Sequence, residues 1–524
     1  MSEMKGGRSL AVRFTTAGAV AASAIGLLAA APVAGAKAFP THPFVPGSVV
    51  IASSEYPAQG NKSIQLGQPL PSGVPAVAGG KYPQVFNNDG PDPSFAVSTP
   101  ITLTDVTHSG NQIDKTSVPT DQVTTSFSSK SELAINFSTD GQDLSFLGYN
   151  AAPDALDASN SNTPGVIDST NPDTEGPFFR VAAKLDSRGN WTFTDSNAYS
   201  GDNGRAVTLD NDSGLFYAAG NSNNGSTTDA PVVAAGGAQV FSPSDRPQSE
   251  QTPGDPTPLG SFSITSVPPN TKPDKAGKDT NFRGLTVYNG VVYETKGSGS
   301  NGINTVYYVN TSGIPCQDGQ GLPVAGQPLP TVAGSPYPMC ILQGFNTTIA
   351  KKTTDVFPFG LWFANPTTLY VADEGDGVLT SDPNPYDDAA SQTMAGLQKW
   401  TFNGVSWQQD YTLQSGLNLG QPYKVPAYPR GTNSATGEPW GVATDGLRNI
   451  SGQVNGHGTA TIYAATSTVS GSGDQGADPN KIVKITDDLS ATTAGSESFA
   501  TIAGPTNRVV YRGVAAVPAD YGSR

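Results

Sequence analysis

Six segments of the chain repeat one pattern, and this repeat limits the folds that the sequence can adopt. Five copies have a short apolar run, a turn with Gly, Asn or Asp, and a second apolar run, and the sixth copy is incomplete because it has only the first run. The copies begin at Glu132, Arg205, Arg283, Phe359, Arg448 and Arg512, so neighbouring starts are 64 to 89 residues apart. Repeats of this kind are typical of modular architectures such as propellers.

The segments that follow each copy indicate two further strands, for example residues 396–402 and 406–413. Helical periodicity is almost absent, and the 60 glycines and 43 prolines favour turns. Four antiparallel strands joined by turns make one propeller blade, and long loops account for the wide spacing of the copies.

The two ends of the chain together supply one more blade. Residues 510–517 provide a single last strand, whereas residues 48–53, 101–106 and 112–118 provide three strands without a first partner. Joining them closes the ring and removes its open sheet edges. We therefore predict an all-β chain that forms a β-propeller of six four-stranded blades, closed by its N- and C-terminal strands. A seventh blade within residues 55–99 is the alternative.

The first residues indicate export. Lys5, Arg8 and Arg13 precede a run of apolar and small residues from 17 to 33, and Ala34-Gly35-Ala36 follows it. This is the pattern of a secretory signal peptide over residues 1–36, with a retained membrane anchor as the alternative. We expect residues 37–524 to form a single propeller domain with long loops, secreted to the extracellular space or the periplasm. No second apolar stretch of about 18 residues follows, so we expect no integral membrane association.

The charge of the chain restricts the class of partner that it can bind. The chain has 29 basic and 44 acidic side chains, a formal net charge of −15, and such a surface repels nucleic acid. A small anion, a glycan or a protein remains open as partner, and we expect a monomer.

The two cysteines, Cys316 and Cys340, lie in a loop rich in Pro and Gly, and in an oxidising compartment they predict a disulfide.

Four strings of residues carry a resemblance. They are Ser-Lys-Ser-Glu-Leu at 129–133, Ser-Asn-Ser-Asn-Thr-Pro-Gly at 159–165, Phe-Gly-Leu-Trp-Phe-Ala at 359–364 and Gly-Asp-Gln-Gly-Ala-Asp-Pro-Asn at 473–480. Through these strings the chain resembles secreted bacterial β-propeller proteins of uncharacterised function, over most of its length after the leader. The resemblance implies the propeller fold and export, and it brings no activity or catalytic residue with it.

Propeller geometry places the starts of the six copies, and the turns between second and third strands, around one mouth of the central channel. The candidate ligand-binding residues there are Arg205, Arg283, Arg448, Arg512 and Glu132. Guanidinium groups fit carboxylate, phosphate or sulfate, which predicts an anion site. The alternative is that each arginine pairs with an acidic residue and joins two blades. Asp202, Asp279 and Asp445 each stand three or four residues before an arginine.

An acidic turn is the candidate metal site. Asp373, Glu374 and Asp376 lie on a turn with two glycines, and Asp474 lies in the corresponding turn of the next copy. Clustered carboxylates suit Ca²⁺, which is the one candidate cofactor. Acidic turns that are simply solvated are the alternative.

The sequence leaves the function open between three classes. The histidines, His42, His108 and His457, are scattered and match no catalytic triad or three-histidine zinc pattern. The first hypothesis is an extracellular binding or scaffolding module. The alternative is a propeller-type hydrolase or lyase that acts on phosphate esters or acidic polysaccharide through paired carboxylates (Glu132, Asp373, Glu374). The third is a structural surface protein without a small ligand.

Overall fold

The computed structural model describes residues 42–523 with gaps: it covers 42–58, 65–69, 75–76, 82–83, 97–171, 175–227, 229–244, 263–264, 279–297, 299, 301–330, 337–352, 355–380, 383–434, 436–473 and 475–523. The predicted signal peptide, residues 1–36, lies outside the described residues. Regular structure is almost all β-strand. Two short helices, α1 (Ala230–Ala234) and α2 (Asp387–Ser391), and three single 3-10 turns lie in loops. No helix among the described residues is long and apolar enough to cross a membrane.

The strands of the N-terminal segment divide between two sheets. They are β1 (Val49–Glu55), β2 (Ser98–Thr99), β3 (Ile101–Val106), β4 (Gln112–Ser117) and β5 (Thr125–Ser126). Strands β2 and β5 pair as a small separate ladder, while β1, β3 and β4 are neighbours in one antiparallel sheet.

Blades 1 to 3 follow in chain order. Blade 1 has β6 (Asn136–Phe137), β7 (Asp143–Tyr149), β8 (Arg180–Asp186) and β9 (Trp191–Ser196), and blade 2 has β10 (Gly204–Asp210), β11 (Leu215–Gly220) and β12 (Gly237–Phe241). Blade 3 contains β13 (Ser263–Ile264), β14 (Leu285–Tyr288), β15 (Val291–Lys296), β16 (Thr305–Val309), β17 (Gln320–Gly321) and β18 (Pro338–Leu342). The short strands β13 and β17 run parallel to β18, which is the outer strand of an otherwise antiparallel sheet.

Blades 4 to 6 complete the ring. Blade 4 has β19 (Pro358–Asn365), β20 (Thr368–Asp373), β21 (Gly396–Phe402) and β22 (Trp407–Leu413). Blade 5 has β23 (Pro422–Tyr423), β24 (Val442–Val454), β25 (Thr459–Val469), β26 (Ile482–Asp488) and β27 (Ala500–Ala503). Blade 6 is built from both ends of the chain, because β28 (Val509–Ala516) pairs with β1, which pairs with β3 and then β4. The prediction of a six-bladed propeller closed by N- and C-terminal strands is confirmed.

Continuous apolar packing joins each blade to the next. One cluster spans blades 2, 3 and 4, and separate clusters fill the seams between blades 1 and 2, 4 and 5, 5 and 6, and 6 and 1. Ile51 packs with Ile482 in the cluster of blades 5 and 6, and Leu103 with Phe146 in that of blades 6 and 1. Strands such as β10, β15 and β20 therefore bury both faces, as in a sheet that is covered on both sides, whereas the outer strand β4 is exposed.

The inner ends of neighbouring blades approach each other so closely that several positions need glycine, and two of these glycines follow an arginine of the repeat. A Cβ on Gly284 of blade 3 would lie 2.1 Å from the Phe359 carbonyl oxygen of blade 4. A Cβ on Gly513 of blade 6 would lie 2.5 Å from the Leu133 carbonyl oxygen ahead of blade 1. Both glycines directly follow an arginine of the repeat, so the close approach also fixes where those arginines stand.

The first copy of the repeat departs from the prediction. The sequence places its inner strand from Glu132 onward, but β6 begins only at Asn136. Leu133 has a φ of 60°, which is incompatible with an extended strand, so the chain turns at that point. Glu132 consequently precedes the strand instead of starting it.

The predicted disulfide is present. Cys316 and Cys340 are bonded across 24 positions of sequence, and Cys340 lies fully buried in β18. In the chain-entropy description, closing a loop of this length stabilises the fold by about 3 kcal/mol.

Candidate functional site

A polar cavity of about 540 Å³ lies where the predicted channel mouth stands. Its wall comes from five blades. The segments that lead into β6, β10 and β14 contribute from blades 1, 2 and 3, and the turns after β11, β20 and β25 contribute from blades 2, 4 and 5. Among the lining residues are Ser128, Ser129, Lys130, Ser131, Asp202, Asn203, Arg205, Asn221, Asn224, Asn281, Arg283, Gly377, Leu379 and Gln475. We call this space the channel-mouth cavity.

Arg205 lines this cavity, and each of its three guanidinium nitrogens contacts a protein group. Its Nη2 lies 3.6 Å from Asp202 Oδ1, and its Nε donates a 2.8 Å hydrogen bond to Asn203 Oδ1. Its Nη1 donates to the side-chain oxygen of Asn281 and to the Phe282 carbonyl oxygen, both on the segment that leads into blade 3. Arg205 therefore contacts both blade 2 and blade 3, but its acidic partner comes from its own blade and its partners in blade 3 are neutral.

Arg283 lines the same cavity but has no such partners. It is only 6% exposed, and among the described residues it makes no ion pair and no side-chain hydrogen bond. Its guanidinium carbon stands 5.9 Å from the centre of the Phe359 ring. Burial, reinforced by the neighbouring Arg205 guanidinium, lowers the pKa of Arg283 to about 9, so the side chain still carries its charge at neutral pH.

Glu374 contacts two further cations near the cavity, Arg448 and Lys130. Its Oε2 lies 3.2 Å from Arg448 Nε and 3.5 Å from Lys130 Nζ. Burial alone raises the pKa of this carboxyl, but the Lys130, Arg448 and Arg283 charges outweigh burial and lower it. Glu374 is thus an ionised carboxylate shared by Lys130 and Arg448, and its Oε1 has no hydrogen-bond partner in the described part of the chain.

Arg512 and Glu132 lie outside the cavity lining. Arg512 donates to the carbonyl oxygens of Phe127 and Gly476. Glu132 accepts 3.0 Å hydrogen bonds from Thr125 Oγ1 and the Ser126 amide on Oε2, and a third from Tyr149 on Oε1. Burial raises the pKa of Glu132, and these donors and the Arg512 charge oppose the shift. The ligand-binding role assigned to this pair from sequence stays a prediction.

The acidic turn after β20 does not gather its carboxylates around one point. Asp373 accepts the Phe357 and Gly375 amides at 2.8 and 3.0 Å, whereas Glu374 faces the cations described above. Asp376 accepts from Val378 and from Gln392, whose amide also bonds Asp445. Asp474 lies outside the described residues. No group of three or more His, Cys, Asp or Glu side chains in the described ranges is arranged to hold a metal ion, so the predicted calcium site finds no support there.

A buried arginine orders the segment that carries Asp202. Arg180 donates to the carbonyl oxygens of Ser161, Tyr199 and Asp202 at 2.7, 3.1 and 2.6 Å. Asp202 in turn accepts from the Asn221 side chain and contacts Arg205. Arg180 is therefore a positioning residue for this part of the cavity wall.

Three residues that line the cavity were not predicted from the sequence: Lys130, Asn203 and Asn281. The signal was present, because Lys130 stands two residues before Glu132, where Asn203 and Asn281 stand before Arg205 and Arg283. A comparison of the copies two residues upstream of each start would have found all three cavity-lining positions. Of the four arginines that the sequence assigns to one channel mouth, Arg205 and Arg283 line the cavity, whereas Arg448 and Arg512 are not among its described lining residues.

No protein-family model and no curated protein matches the chain. Matches among solved structures include a polysaccharide lyase described as PL25-ulvan lyase and bound to GlcA(1-4)Rha3S, with 10% identity and a TM-score of 0.30, covering 79% of this chain and 90% of that chain. A second structure of a PL25-ulvan lyase has 11% identity and a TM-score of 0.29, covering 79% and 88%. With similarity this low, the function must be inferred from the residues of this chain.

Proposed function

We propose that the protein is an extracellular binding propeller whose channel-mouth cavity holds a small anion. The observation that carries the proposal is Arg283, a buried guanidinium at the cavity wall that makes no ion pair and no side-chain hydrogen bond with any described residue. Taking a charge out of water without a counterion costs several kcal/mol, and a bound anion would supply that counterion. Lys130 and Arg205 lie in the same wall and add to the positive potential.

The carboxylates named for the hydrolase or lyase alternative do not favour it. Neither Glu132, Asp373 nor Glu374 is among the residues that line the cavity, and Asp202, which does, is paired with Arg205. General acid and base groups must reach the reacting atoms within hydrogen-bond distance. Binding is therefore the better-supported function for this cavity.

Two features support a location outside the cytosol. The Cys316–Cys340 disulfide is of the kind that persists in oxidising compartments. The leader pattern of residues 1–36 has the composition of a secretory signal.

The test is thermal melting of the protein with sulfate, phosphate and acetate, each titrated at constant ionic strength against chloride. A ligand that binds only the folded state at about 100 times its Kd adds about 2.7 kcal/mol to the free energy of unfolding, so the melting temperature should rise and saturate for at least one anion. The matched variants are Arg283→Met at the cavity and Arg188→Met at an exposed turn of blade 1.

We expect Arg188→Met to keep the saturable rise and Arg283→Met to lose it. Two results would overturn the proposal: no saturable rise with any of the anions, or the same rise in the Arg283→Met protein.

A further inference from the structure

We infer that the anion in the channel-mouth cavity is the single carboxylate or sulfate group of a sugar-like, polyhydroxylated molecule. The inference rests on the proposed anion-binding function and adds the chemical class of the ligand. It is carried by the size of the cavity, by its neutral polar side chains and by the number of unpaired charges in its wall.

The cavity is much larger than an inorganic anion. Its volume of about 540 Å³ corresponds to roughly 18 water molecules at about 30 Å³ each. Pockets of about 300–1,000 Å³ are the range in which proteins enclose small organic ligands. A sulfate or phosphate ion on Arg283 would leave most of this space to solvent.

Several neutral side chains in the wall have unused hydrogen-bonding capacity, among them Asn221, whose Oδ1 is buried without a hydrogen-bond partner in the described structure. Ser128 Oγ is buried without a hydrogen-bond partner, and neither Ser131 nor Asn224 makes a side-chain hydrogen bond with any residue that the structure describes. Among the lining residues that the structure describes, Leu379 is the one aliphatic side chain. Hydroxyl groups of a ligand both donate and accept, as Ser and Asn side chains require, whereas an apolar ligand would leave these groups unpaired.

The charges of the wall fit one negative charge on the ligand. Arg205 stands 3.6 Å from Asp202, and Lys130 stands 3.5 Å from Glu374, which it shares with Arg448. Among the described residues Arg283 is therefore the lining cation that contacts no carboxylate. A guanidinium binds a carboxylate or sulfate through two parallel hydrogen bonds. A phosphate monoester carries a charge of about −1.5 to −2 and needs a second free cation.

Calorimetric titration at constant ionic strength tests the inference with five probes: glucuronate, glucose 6-sulfate, glucose, acetate and inorganic sulfate. We expect glucuronate or glucose 6-sulfate to bind at least tenfold more tightly than acetate and sulfate, and glucose not to bind. Which of the two sugar acids binds identifies the anionic group. The double variant Ser131→Ala/Asn224→Ala should weaken binding of that sugar acid about tenfold and leave inorganic sulfate unchanged, while Arg188→Met should change neither.

The outcomes separate this inference from the proposed function. If acetate or sulfate binds as tightly as the sugar acids, or if the double variant weakens nothing, the sugar-like ligand is wrong and anion binding stands. If none of the four anions binds, both are wrong.

Discussion

The four arginines of the repeat occupy equivalent positions in sequence, yet their side chains meet different partners. Arg205 contacts an aspartate three residues earlier in its own blade, and Arg448 contacts Glu374 of the preceding blade. Arg512 reaches backbone carbonyl oxygens. Among the described residues Arg283 has neither kind of partner, and its guanidinium carbon stands 5.9 Å from the centre of the Phe359 ring of blade 4.

Replacement of Arg283 should abolish anion binding without lowering the free energy of unfolding. Arg283→Met removes a buried charge and keeps an unbranched apolar chain, so we expect the ligand-free protein to gain about 1 kcal/mol or more in free energy of unfolding while anion binding is lost. Urea unfolding without added anion measures this change. A loss of stability comparable with that of other buried arginines would instead assign Arg283 a structural role.

Glu294 is a buried acid that the proposed site does not use. It is fully buried in β15, both carboxylate oxygens lack a hydrogen-bond partner in the described structure, and burial raises its pKa well above the ordinary value of 4.5. The folded protein therefore keeps a proton on Glu294 that the unfolded chain releases above about pH 4.5. Because the folded state binds more protons, this residue makes stability fall as pH rises, by up to about 1.4 kcal/mol per pH unit.

Glu294→Gln should remove that slope, since the amide has nearly the same shape and does not titrate. We expect similar unfolding free energies for the two proteins near pH 4.5 and an advantage for the variant that widens as the pH rises from there towards the raised pKa of Glu294. Urea unfolding at intervals of one pH unit measures the difference, in which the other titrating groups cancel. Parallel pH profiles would show that Glu294 is ionised in the folded protein.

At the scale of strands and blades, one buried polar network joins blade 4 to blade 5. Lys399 Nζ on β21 lies 3.1 Å from Asp487 Oδ2 on β26, and both side chains are 0% exposed. Tyr370 and Tyr411 donate to the same carboxylate at 2.5 and 2.8 Å, and Lys399 also donates to the Asp488 and Ala491 carbonyl oxygens. All the groups are satisfied, which is the condition for such a network to be tolerated in a core.

Breaking one side of this pair should be costly. We expect Lys399→Met to lower the free energy of unfolding by about 3–5 kcal/mol, because it leaves the Asp487 carboxylate buried without its cation. The double variant Lys399→Met/Asp487→Leu should recover a large part of that loss, and the exposed Lys115→Met serves as the control. Chemical denaturation of the wild-type protein, the two single variants Lys399→Met and Asp487→Leu, and the double variant gives the coupling energy, and additive losses would contradict a direct interaction.

The same scale shows what the sequence could predict. The blade 6 strands lie within two residues of their predicted bounds, because turn residues and apolar runs are local signals. The partners of the arginines could not be predicted in this way. Asp445 stands three residues before Arg448 but accepts from the Gly377 amide and Gln392, while Glu374 from another blade takes its place. Which acid reaches which arginine depends on contacts between blades, and the repeat does not encode them.

At the scale of the whole molecule, the ring depends on one strand from the end of the chain. Strand β28 pairs with β1 from Val49↔Ala516 to Glu55↔Val509, and its side chains join the apolar clusters that contact blade 5 and blade 1. Without β28, both the inner edge of β1 and two blade seams would be exposed. An open strand edge beside apolar surface is a template for aggregation.

A chain that ends at Arg508 should therefore lose cooperative thermal unfolding and aggregate, whereas a chain that ends at Gly522 should melt like the full-length protein. A synthetic peptide of residues 508–524 should restore solubility to the shortened chain, because strand addition to the open edge supplies both the hydrogen bonds and the apolar side chains that the ring lacks. Light scattering and circular dichroism with and without the peptide measure the effect. If the chain ending at Arg508 is soluble and melts normally, blades 1 to 5 hold the ring without closure, and the joining of the termini serves some purpose other than stability.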